Sequence, residues 1–322
     1  MSEPADIAAA ASILRNGGLV AFPTETVYGL GADASNPAAV ARIYAAKGRP
    51  ASHPVIVHIA SAAEVPRWAR EFPEAARRLA AAFWPGPLTL VLPRAEGVAD
   101  AVTGGQDTVA LRVPGHPIAL ALLAAFGGGI AAPSANRYGK VSPTRAAHVR
   151  SEFGATIDCV LEGGDCAVGL ESTIVSLVDG EPRLLRPGGI PRERIEAVIG
   201  PMAGSGADAP RVPGSVKSHY APAAALELLE AGTLDARVRG LRAEDRIAVL
   251  SRRDAPAGFG GRWFRMPADP AGYGHELYAA LRELDAGGAA RILVEQVPPG
   301  PGWEAVEDRL ARAAARESPE SP

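Results

Sequence analysis

The sequence predicts an α/β protein, because short apolar runs of strand length alternate along the chain with longer segments of helical periodicity. Residues 19–22 are the first apolar run, and residues 6–16 before them place their apolar side chains on one face of a helix. A stretch rich in proline and glycine, residues 201–215, separates this pattern from a second, smaller alternation of strands and helices. We therefore expect two α/β units joined by a linker.

The composition is that of a globular protein and excludes several functional classes. Of the 322 residues, 47% are hydrophobic and 21% are charged, and a chain of this length forms one or two domains. The net charge of −3 argues against strong nonspecific binding to nucleic acid. Two cysteines, Cys159 and Cys166, are too few for a disulfide framework or a four-ligand zinc site. With no basic amino-terminal segment and no apolar run of membrane-spanning length, we expect a cytoplasmic protein without a signal peptide or membrane partner.

Turn and capping residues delimit the elements of the first unit. Gly17 ends the first helix, Asn36 and Pro37 begin a second helix that ends at Lys47, and Asp179-Gly180 is a strong hairpin signal. Further helices are predicted at residues 61–70, 73–83, 117–126, 145–153 and 191–199. The predicted strands are residues 19–22, 54–59, 88–93, 108–114, 129–132, 172–178 and 181–186.

The second unit repeats the alternation on a smaller scale. Its predicted strands are residues 225–229, 246–251 and 291–295, and its predicted helices are residues 270–286 and 303–316. The final residues, 317–322, are polar and rich in proline, so we expect them to be disordered.

The segment after the first strand is the most unusual part of the sequence. Pro23 cannot continue the strand as a hydrogen-bond donor, and Thr24, Glu25, Thr26 and Tyr28 follow it between apolar neighbours. The two glycines after them allow the backbone to approach another group closely. Polar side chains at the end of a strand are typical of ligand sites in α/β proteins, and a turn capped by threonine is the alternative.

Lysine is rare in this arginine-rich chain, and Lys47, Lys140 and Lys217 are the only three. Lys47 and Arg49 stand at the predicted end of a helix. They either complement the negative end of the helix dipole or form a clamp for phosphate, in which a compact ammonium and a forked guanidinium act together.

Several other polar side chains stand at or near predicted strands. Arg112 and Thr108 lie on one face of a strand that is otherwise apolar, so Arg112 requires an anionic partner, either a ligand or a carboxylate of the protein. The segment Pro133-Ser134-Ala135-Asn136 follows another strand and is either a capping turn or part of a ligand site. Further hydroxyls and cations stand in the segments Glu171-Ser172-Thr173 and Arg186-Pro187-Gly188, and His58 and His116 are isolated histidines.

Common catalytic motifs are missing from the sequence. It contains no GxxxxGK[ST] phosphate loop, no GxSxG nucleophile motif and no HExxH metal motif. Many cations and hydroxyls with few general bases suit the binding of a polyanion such as a nucleoside triphosphate. Nucleotidyl transfer depends mainly on positioning and charge stabilisation, so it needs no catalytic triad.

A series of motifs resembles the YrdC-like threonylcarbamoyl-AMP synthases over about residues 7–200. In chain order they are FPTETVYGLGADA, KGRP, HPVIVHI, FWPGPLTLVL, TVALRVP, APSAN, VSPT, ESTIV and LLRPG. The segment PGSVKSHYAP at residues 213–222, with the α/β unit after it, resembles the longer two-domain form of these enzymes. The resemblance implies a twisted mixed sheet with flanking helices, followed by a small Rossmann-like α/β domain.

The resemblance also implies a domain plan and a reaction. It gives a catalytic domain at residues 1–200, a linker folding over the active site at 201–222, a carboxyl-terminal domain at 223–316 and a tail at 317–322. The implied reaction converts L-threonine, bicarbonate and ATP, with Mg²⁺ accompanying ATP, into threonylcarbamoyl-AMP and pyrophosphate. The product serves the N6-threonylcarbamoyladenosine modification of tRNA, with handover to a threonylcarbamoyl-transferase complex.

Individual site residues follow from the same resemblance. The residues implied to contact L-threonine are Thr26, His58, Arg112, Ala132 and Ser172. Those implied to surround ATP are Lys47, Arg49, His53, Thr108, Ser134, Asn136, Ser142, Arg186 and Tyr220, and the implied catalytic residues are Lys47, Arg49 and Arg112. His53 stands where many relatives have asparagine, so it predicts an ATP affinity that depends on pH.

Two other functions stay open. A carbamoyl-adenylating enzyme of the hydrogenase-maturation type would share the fold, but such proteins carry zinc-finger cysteines and this chain has two cysteines. An RNA-binding or ribosome-associated module is the second alternative, and competition by ATP against RNA binding would distinguish it from a nucleotide site.

Overall fold

The computed structural model describes residues 2–178, 180–204, 206, 208–214, 216, 218–239, 241 and 245–315. The chain divides into two compact units. The first contains residues 1–138 and 142–215, and the second contains residues 139–141 and 216–322. The predicted tail at 317–322, Lys217 and Asp179 of the predicted hairpin turn lie outside the described residues.

Nine strands among the described residues form the mixed sheet of the first unit, in the order β7-β1-β2-β6-β3-β5-β4-β8-β9. Their bounds are β1 Val20–Phe22, β2 Gly29–Asp33, β3 Ile56–His58, β4 Leu88–Pro93, β5 Thr108–Arg112, β6 Ile130–Ala131, β7 Cys159–Val160, β8 Thr173–Ser176 and β9 Arg183–Arg186. The pairs β1·β7, β3·β5 and β4·β8 are parallel, and the other pairs are antiparallel. The predicted α/β class with a mixed sheet is confirmed.

The helices of the first unit are α1 Pro4–Arg15, α2 Pro37–Lys47, α3 Val65–Trp68, α4 Glu74–Phe83, α5 Asp100–Thr103, α6 Pro117–Phe126, α7 Ala146–Phe153 and α8 Arg192–Ile199. Short 3₁₀ turns occupy Ala62–Glu64 and Gly154–Thr156. The helical segment predicted at 61–70 is present but shorter and divided into a 3₁₀ turn and α3, because Pro66 has no amide proton for an α-helical bond to the preceding turn.

Strand β2 is not among the predicted strands, because its sequence, GLGAD, contains two glycines and no β-branched residue. It pairs antiparallel with β1, with Val20 opposite Gly31. A Cβ atom on Gly31 would lie 2.8 Å from Cγ2 of Ile130 and 2.9 Å from Cε1 of Phe22. The close approach that Gly31 permits is therefore to the packed interior of the sheet and not to a ligand.

The central strands present an apolar face and a partly polar face. Val57, Leu90, Leu111 and Val175 are neighbours across β3, β5, β4 and β8, and all four belong to the main hydrophobic core. Because side chains alternate along a strand, the residues between them point to the opposite face. That opposite face carries the polar residues of the candidate site together with a small apolar cluster, which includes Ile56, Ala110 and Val212.

The second unit contains a four-stranded parallel sheet in the order β10-β13-β11-β12 among the described residues. Its elements are β10 Ala225–Leu229, α9 Ala231–Val238, β11 Ile247–Ser251, β12 Arg262–Arg265, α10 Pro270–Ala286, β13 Arg291–Glu295 and α11 Glu304–Ala314. The predicted small α/β fold is confirmed. Strand β12 was missed because its sequence, RWFR, alternates arginine with aromatic residues and contains no aliphatic run. No helix formed by the described residues is long and apolar enough to cross a membrane.

Candidate active site

The turn between β1 and β2 is held by the hydroxyl of Thr24. This hydroxyl donates to the carbonyl of Val27 at 2.6 Å and accepts from the amides of Thr26 and Val27, each at 3.2 Å. It also lies 2.8 Å from the hydroxyl of Thr26. Since the single proton of Thr24 goes to Val27, Thr26 donates to Thr24 and keeps its own oxygen available as an acceptor. The threonine-capped turn is thus present, and it leaves Thr26 able to bind a donor.

Arg112 forms a buried ion pair that joins this turn to strand β5. Its Nη2 lies 2.7 Å from Oε1 of Glu25, and its Nε donates to the carbonyl of Gly86 at 3.3 Å. The other carboxylate oxygen of Glu25 accepts the amide of Gly115 at 2.8 Å. The protein therefore supplies the anionic partner that the position of Arg112 requires. Within the described residues, Nη1 of Arg112 makes no hydrogen bond, so one edge of the guanidinium stays available.

His58 is the neighbour of Arg112 across the parallel pair of β3 and β5. Its side chain is buried, and its Nδ1 has no hydrogen-bond partner among the described residues. Burial, followed by the positive charge of Arg112, lowers the pKa of His58 to about 3. The imidazole is therefore neutral near pH 7 and presents one unsatisfied polar atom beside the guanidinium.

A second hydrogen-bonded group on the same face of the sheet joins β4, β8 and β9. The hydroxyls of Thr89 and Ser172 lie 2.7 Å apart. Nη2 of Arg186 donates to the carbonyl of Ser172 at 2.8 Å and to its hydroxyl at 3.2 Å. Nη1 of Arg186 donates to the carbonyl of Pro213 at 2.9 Å. The structure thus brings together Arg186, which was assigned to ATP, and Ser172, which was assigned to L-threonine.

The end of α2 and the segment after β6 also meet. Lys47 is buried, and its Nζ donates to the carbonyl of Ser134 at 2.6 Å and to the carbonyl of Asn136. Burial, with a smaller contribution from Arg49, lowers the pKa of Lys47 well below its ordinary value. Lys47 is the last residue of α2, and these bonds join it to another segment, so the helix-dipole interpretation and the phosphate clamp both stay open. Arg49 donates from Nη2 to the carbonyl of Pro54 at 2.9 Å.

The remaining residues assigned to ATP occupy several places. In the first unit, Nδ1 of His53 lies 3.3 Å from the hydroxyl of Tyr138, and Ser142 donates to Glu171 at 2.6 Å. Thr108 begins β5, and none of its hydrogen bonds joins it to the other assigned residues.

Tyr220 belongs to the second unit, where it is buried with φ of 61°. Its ring stacks on Tyr278 with a centroid distance of 5.8 Å, and the guanidinium of Arg309 lies 5.0 Å from its centroid. Its assignment to ATP stays a prediction.

Sequence reasoning assigned no role to three residues that the structure places among the predicted ones. Glu25 holds Arg112, Glu171 accepts from Ser142, and Thr89 contacts Ser172. Glu25 and Glu171 stand inside motifs already noted. A carboxylate within a segment of buried hydroxyls and cations was the sequence signal that could have indicated a role for each of them. Ala132 directly follows β6, and its amide donates to the carbonyl of Ile56 at 2.9 Å.

The described residues contain no group of three or more histidine, cysteine, aspartate or glutamate side chains arranged to hold a metal ion. Glu25 and Glu171, two carboxylates that contact assigned residues, already accept hydrogen bonds from the protein. This donor set fits a cation that arrives with the phosphates of a nucleotide better than one bound by a dedicated protein cage.

Both units match known family models. Residues 12–188 match the Sua5/YciO/YrdC model, which is described as "Telomere recombination". Residues 190–315 match the model described as "Threonylcarbamoyl-AMP synthase, C-terminal domain".

Similar proteins cover nearly the whole chain. A threonylcarbamoyl-AMP synthase of Pyrococcus abyssi is 46% identical over 95% of this chain and 93% of its own length. One of Bacillus subtilis is 42% identical over 96% of this chain and 92% of its own length. The crystal structure of P. abyssi Sua5 complexed with L-threonine has a TM-score of 0.89 at 42% identity, and the match covers 98% of this chain and 95% of that one.

Proposed function

Because the chain belongs to the Sua5/YciO/YrdC family, we propose that it is an L-threonylcarbamoyladenylate synthase. It joins L-threonine, bicarbonate and ATP into threonylcarbamoyl-AMP and releases pyrophosphate, which makes it a nucleotidyltransferase. The observation that carries this proposal is the buried Arg112: among the described residues its Nη1 makes no hydrogen bond, and neither does Nδ1 of the neighbouring, neutral His58. The names of the relatives and the L-threonine complex of P. abyssi Sua5 support it.

L-Threonine binds at the partly polar face of the sheet. Its carboxylate accepts from Nη1 of Arg112, because a buried guanidinium favours a planar oxyanion. The amino acid also contacts His58, the acceptor oxygen of Thr26, Ser172 and the backbone of Ala132. A neutral histidine at this place adds a directional hydrogen bond without adding a second positive charge.

ATP binds toward the cations at the end of α2 and at β9. Lys47, Arg49 and Arg186 neutralise the triphosphate, and Lys47 is already oriented by the carbonyls of Ser134 and Asn136. The other contacts of ATP are His53, Thr108, Ser134, Asn136, Ser142 and Tyr220. Mg²⁺ enters with ATP and supplies charge neutralisation of the phosphates.

The chemistry needs orientation more than a strong base. Bicarbonate takes up a proton and loses water to give CO₂, and the neutral amine of threonine adds to the carbon of CO₂ and releases a proton, which forms a carbamate. A carbamate oxygen then attacks the α-phosphorus, and the bond between the α-phosphorus and the leaving pyrophosphate breaks. Arg112 orients the threonine end, while Lys47 and Arg49 stabilise charge that develops on the phosphates. The adenylate then passes to a cytoplasmic threonylcarbamoyl-transferase complex that modifies tRNA.

Pyrophosphate release tests the proposal. We expect release from ATP only when L-threonine and bicarbonate are both present, and much less release when serine replaces threonine. Release that does not depend on threonine would point to a carbamoyl-adenylating enzyme or a simple nucleotidase. Binding of ATP without any turnover, together with RNA binding that ATP does not displace, would favour the RNA-binding module.

A further inference from the structure

In the parallel sheet of the second unit, the connections that leave the two central strands, β13 and β11, run in opposite directions across the sheet. The chain leaves β11 toward β12 on one side, and it leaves β13 toward α11, which contacts β10 on the other side. In open α/β sheets, ligands bind in the crevice beyond the carboxyl ends of strands at such a point. The carboxyl ends of β11 and β13 are Ser251 and Glu295.

The carboxylate of Glu295 accepts three hydrogen bonds from groups of the protein. It is 4% exposed and accepts the hydroxyl of Ser251 at 2.5 Å, the amide of Arg252 at 3.1 Å and Nε of Arg253 at 3.1 Å. Arg253 also pairs with Asp235 at 2.9 Å. The guanidinium of Arg252, in contrast, lies 3.8 Å from Glu295 at its nearest.

Two buried donors beside this carboxylate have no acceptor among the described residues. They are the hydroxyl of Tyr273, whose side chain is 0% exposed, and Nε of Arg252. Both groups flank one indole: the ring of Tyr273 lies 5.7 Å and the guanidinium of Arg252 5.8 Å from the ring of Trp303. Burial and the charge of Glu295 raise the pKa of Tyr273, so its hydroxyl stays protonated and can donate.

We propose that an oxyanion, a carboxylate or a phosphate group, binds beyond the carboxyl ends of β11 and β13 through Arg252 and Tyr273. A hydroxyl and a guanidinium N–H without acceptors are complementary to the lone pairs and the negative charge of such a group. Neither Arg252 nor Tyr273 is among the residues assigned to threonine and ATP.

The test uses the full chain with nitrogen-15 in its arginine side chains. The Nε–H resonance of Arg252 is identified by its loss in Arg252→Lys and is followed by NMR during titration with inorganic phosphate, with acetate and with chloride at matched ionic strength. We expect phosphate or acetate, but not chloride, to shift this resonance in a saturable way, and the more effective anion identifies the ligand class. Tyr273→Phe removes only the hydroxyl, so we expect it to weaken this binding about tenfold or more.

Controls separate this site from general effects of salt and from the active site. Arg265→Gln changes an exposed arginine of the same unit, paired with Asp254, and should leave the titration unchanged. Tyr273→Phe should leave threonine-dependent pyrophosphate release unchanged, so failure of either proposal does not affect the other. A shift that chloride reproduces, a shift that Tyr273→Phe does not weaken, or no shift at all would overturn the inference.

Discussion

Glu25 neutralises the guanidinium of Arg112 through Nη2, and among the described residues Nη1 keeps its hydrogen-bonding capacity for a ligand. A buried arginine without a carboxylate is costly, and Glu25 provides one at 2.7 Å while its second oxygen is fixed by the amide of Gly115. The ion pair occupies Nη2 and leaves Nη1 for a ligand. Under the proposed function, Glu25 would act as a positioning residue for Arg112.

We expect Glu25→Ala to raise the KM for L-threonine about tenfold or more, because the guanidinium loses its orientation and its buried counter-charge. Glu25→Gln keeps an acceptor for Arg112 and Gly115 and should retain part of the affinity. Initial rates of pyrophosphate release at varied threonine concentration measure the effect. The control Glu181→Gln matches Glu25→Gln at an exposed ion pair with Arg183, and we expect it to leave the KM for L-threonine unchanged. Equal KM values for wild type and Glu25→Ala would contradict the positioning role.

His53 predicts a pH dependence of ATP affinity, and the structure indicates where the change lies. Burial, followed by the charges of Arg49 and Arg211, lowers the pKa of His53 below its ordinary value of 6.5. The added positive charge therefore appears only as pH falls below 6.5, and we expect ATP to bind more tightly there. Calorimetric titration with ATP between pH 5.5 and 8 measures this, and His53→Asn should remove the acid-side increase. A flat affinity of the wild type over that range would contradict it.

At the scale of single elements, Gly31 keeps β1, β2 and β6 in contact. A methyl group there would meet Ile130 and Phe22 at less than ordinary contact distance, and both belong to a buried cluster. We expect Gly31→Ala to lower the free energy of unfolding by about 1–3 kcal/mol, measured by denaturant unfolding. Gly204→Ala is the control in the same unit, since a Cβ on Gly204 would meet nothing within 4 Å. Equal losses in the two variants would contradict the packing explanation.

The elements predicted correctly are those whose signals are local. Helix α2 begins and ends where Asn36 and Gly48 cap it, and β4 coincides with an uninterrupted apolar run. Strands β7 and β2 were not predicted. Strand β7 is only two residues long, and β2 contains glycines whose presence in a strand is explained only by the close packing of the neighbouring strands. The contact between Glu25 and Arg112 joins residues 87 positions apart, so no local pattern could pair them. The family resemblance named the arginine, and only the fold identified its partner.

At the scale of the whole molecule, the role of the linker and second unit in holding ATP stays a prediction. Removing residues 201–322 should weaken ATP retention through loss of Tyr220. A truncation after residue 200 would also remove contacts within the first unit, which extends to residue 215. In that unit Val212 packs in an apolar cluster, and Arg186 donates to the carbonyl of Pro213. A truncation after residue 215 is therefore the matched variant, since it removes Tyr220 and keeps those contacts. Full turnover and unchanged ATP affinity of that variant would contradict the prediction that the linker folds over the active site.

The central claim is that this chain makes threonylcarbamoyl-AMP. The most direct measurement is mass spectrometry of the nucleotide products formed from ATP, L-threonine and carbon-13 bicarbonate. The account predicts an adenylate that contains threonine and one labelled carbon, formed by the wild type and strongly reduced in Arg112→Lys. Release of pyrophosphate or AMP without any labelled threonine-containing adenylate would contradict it.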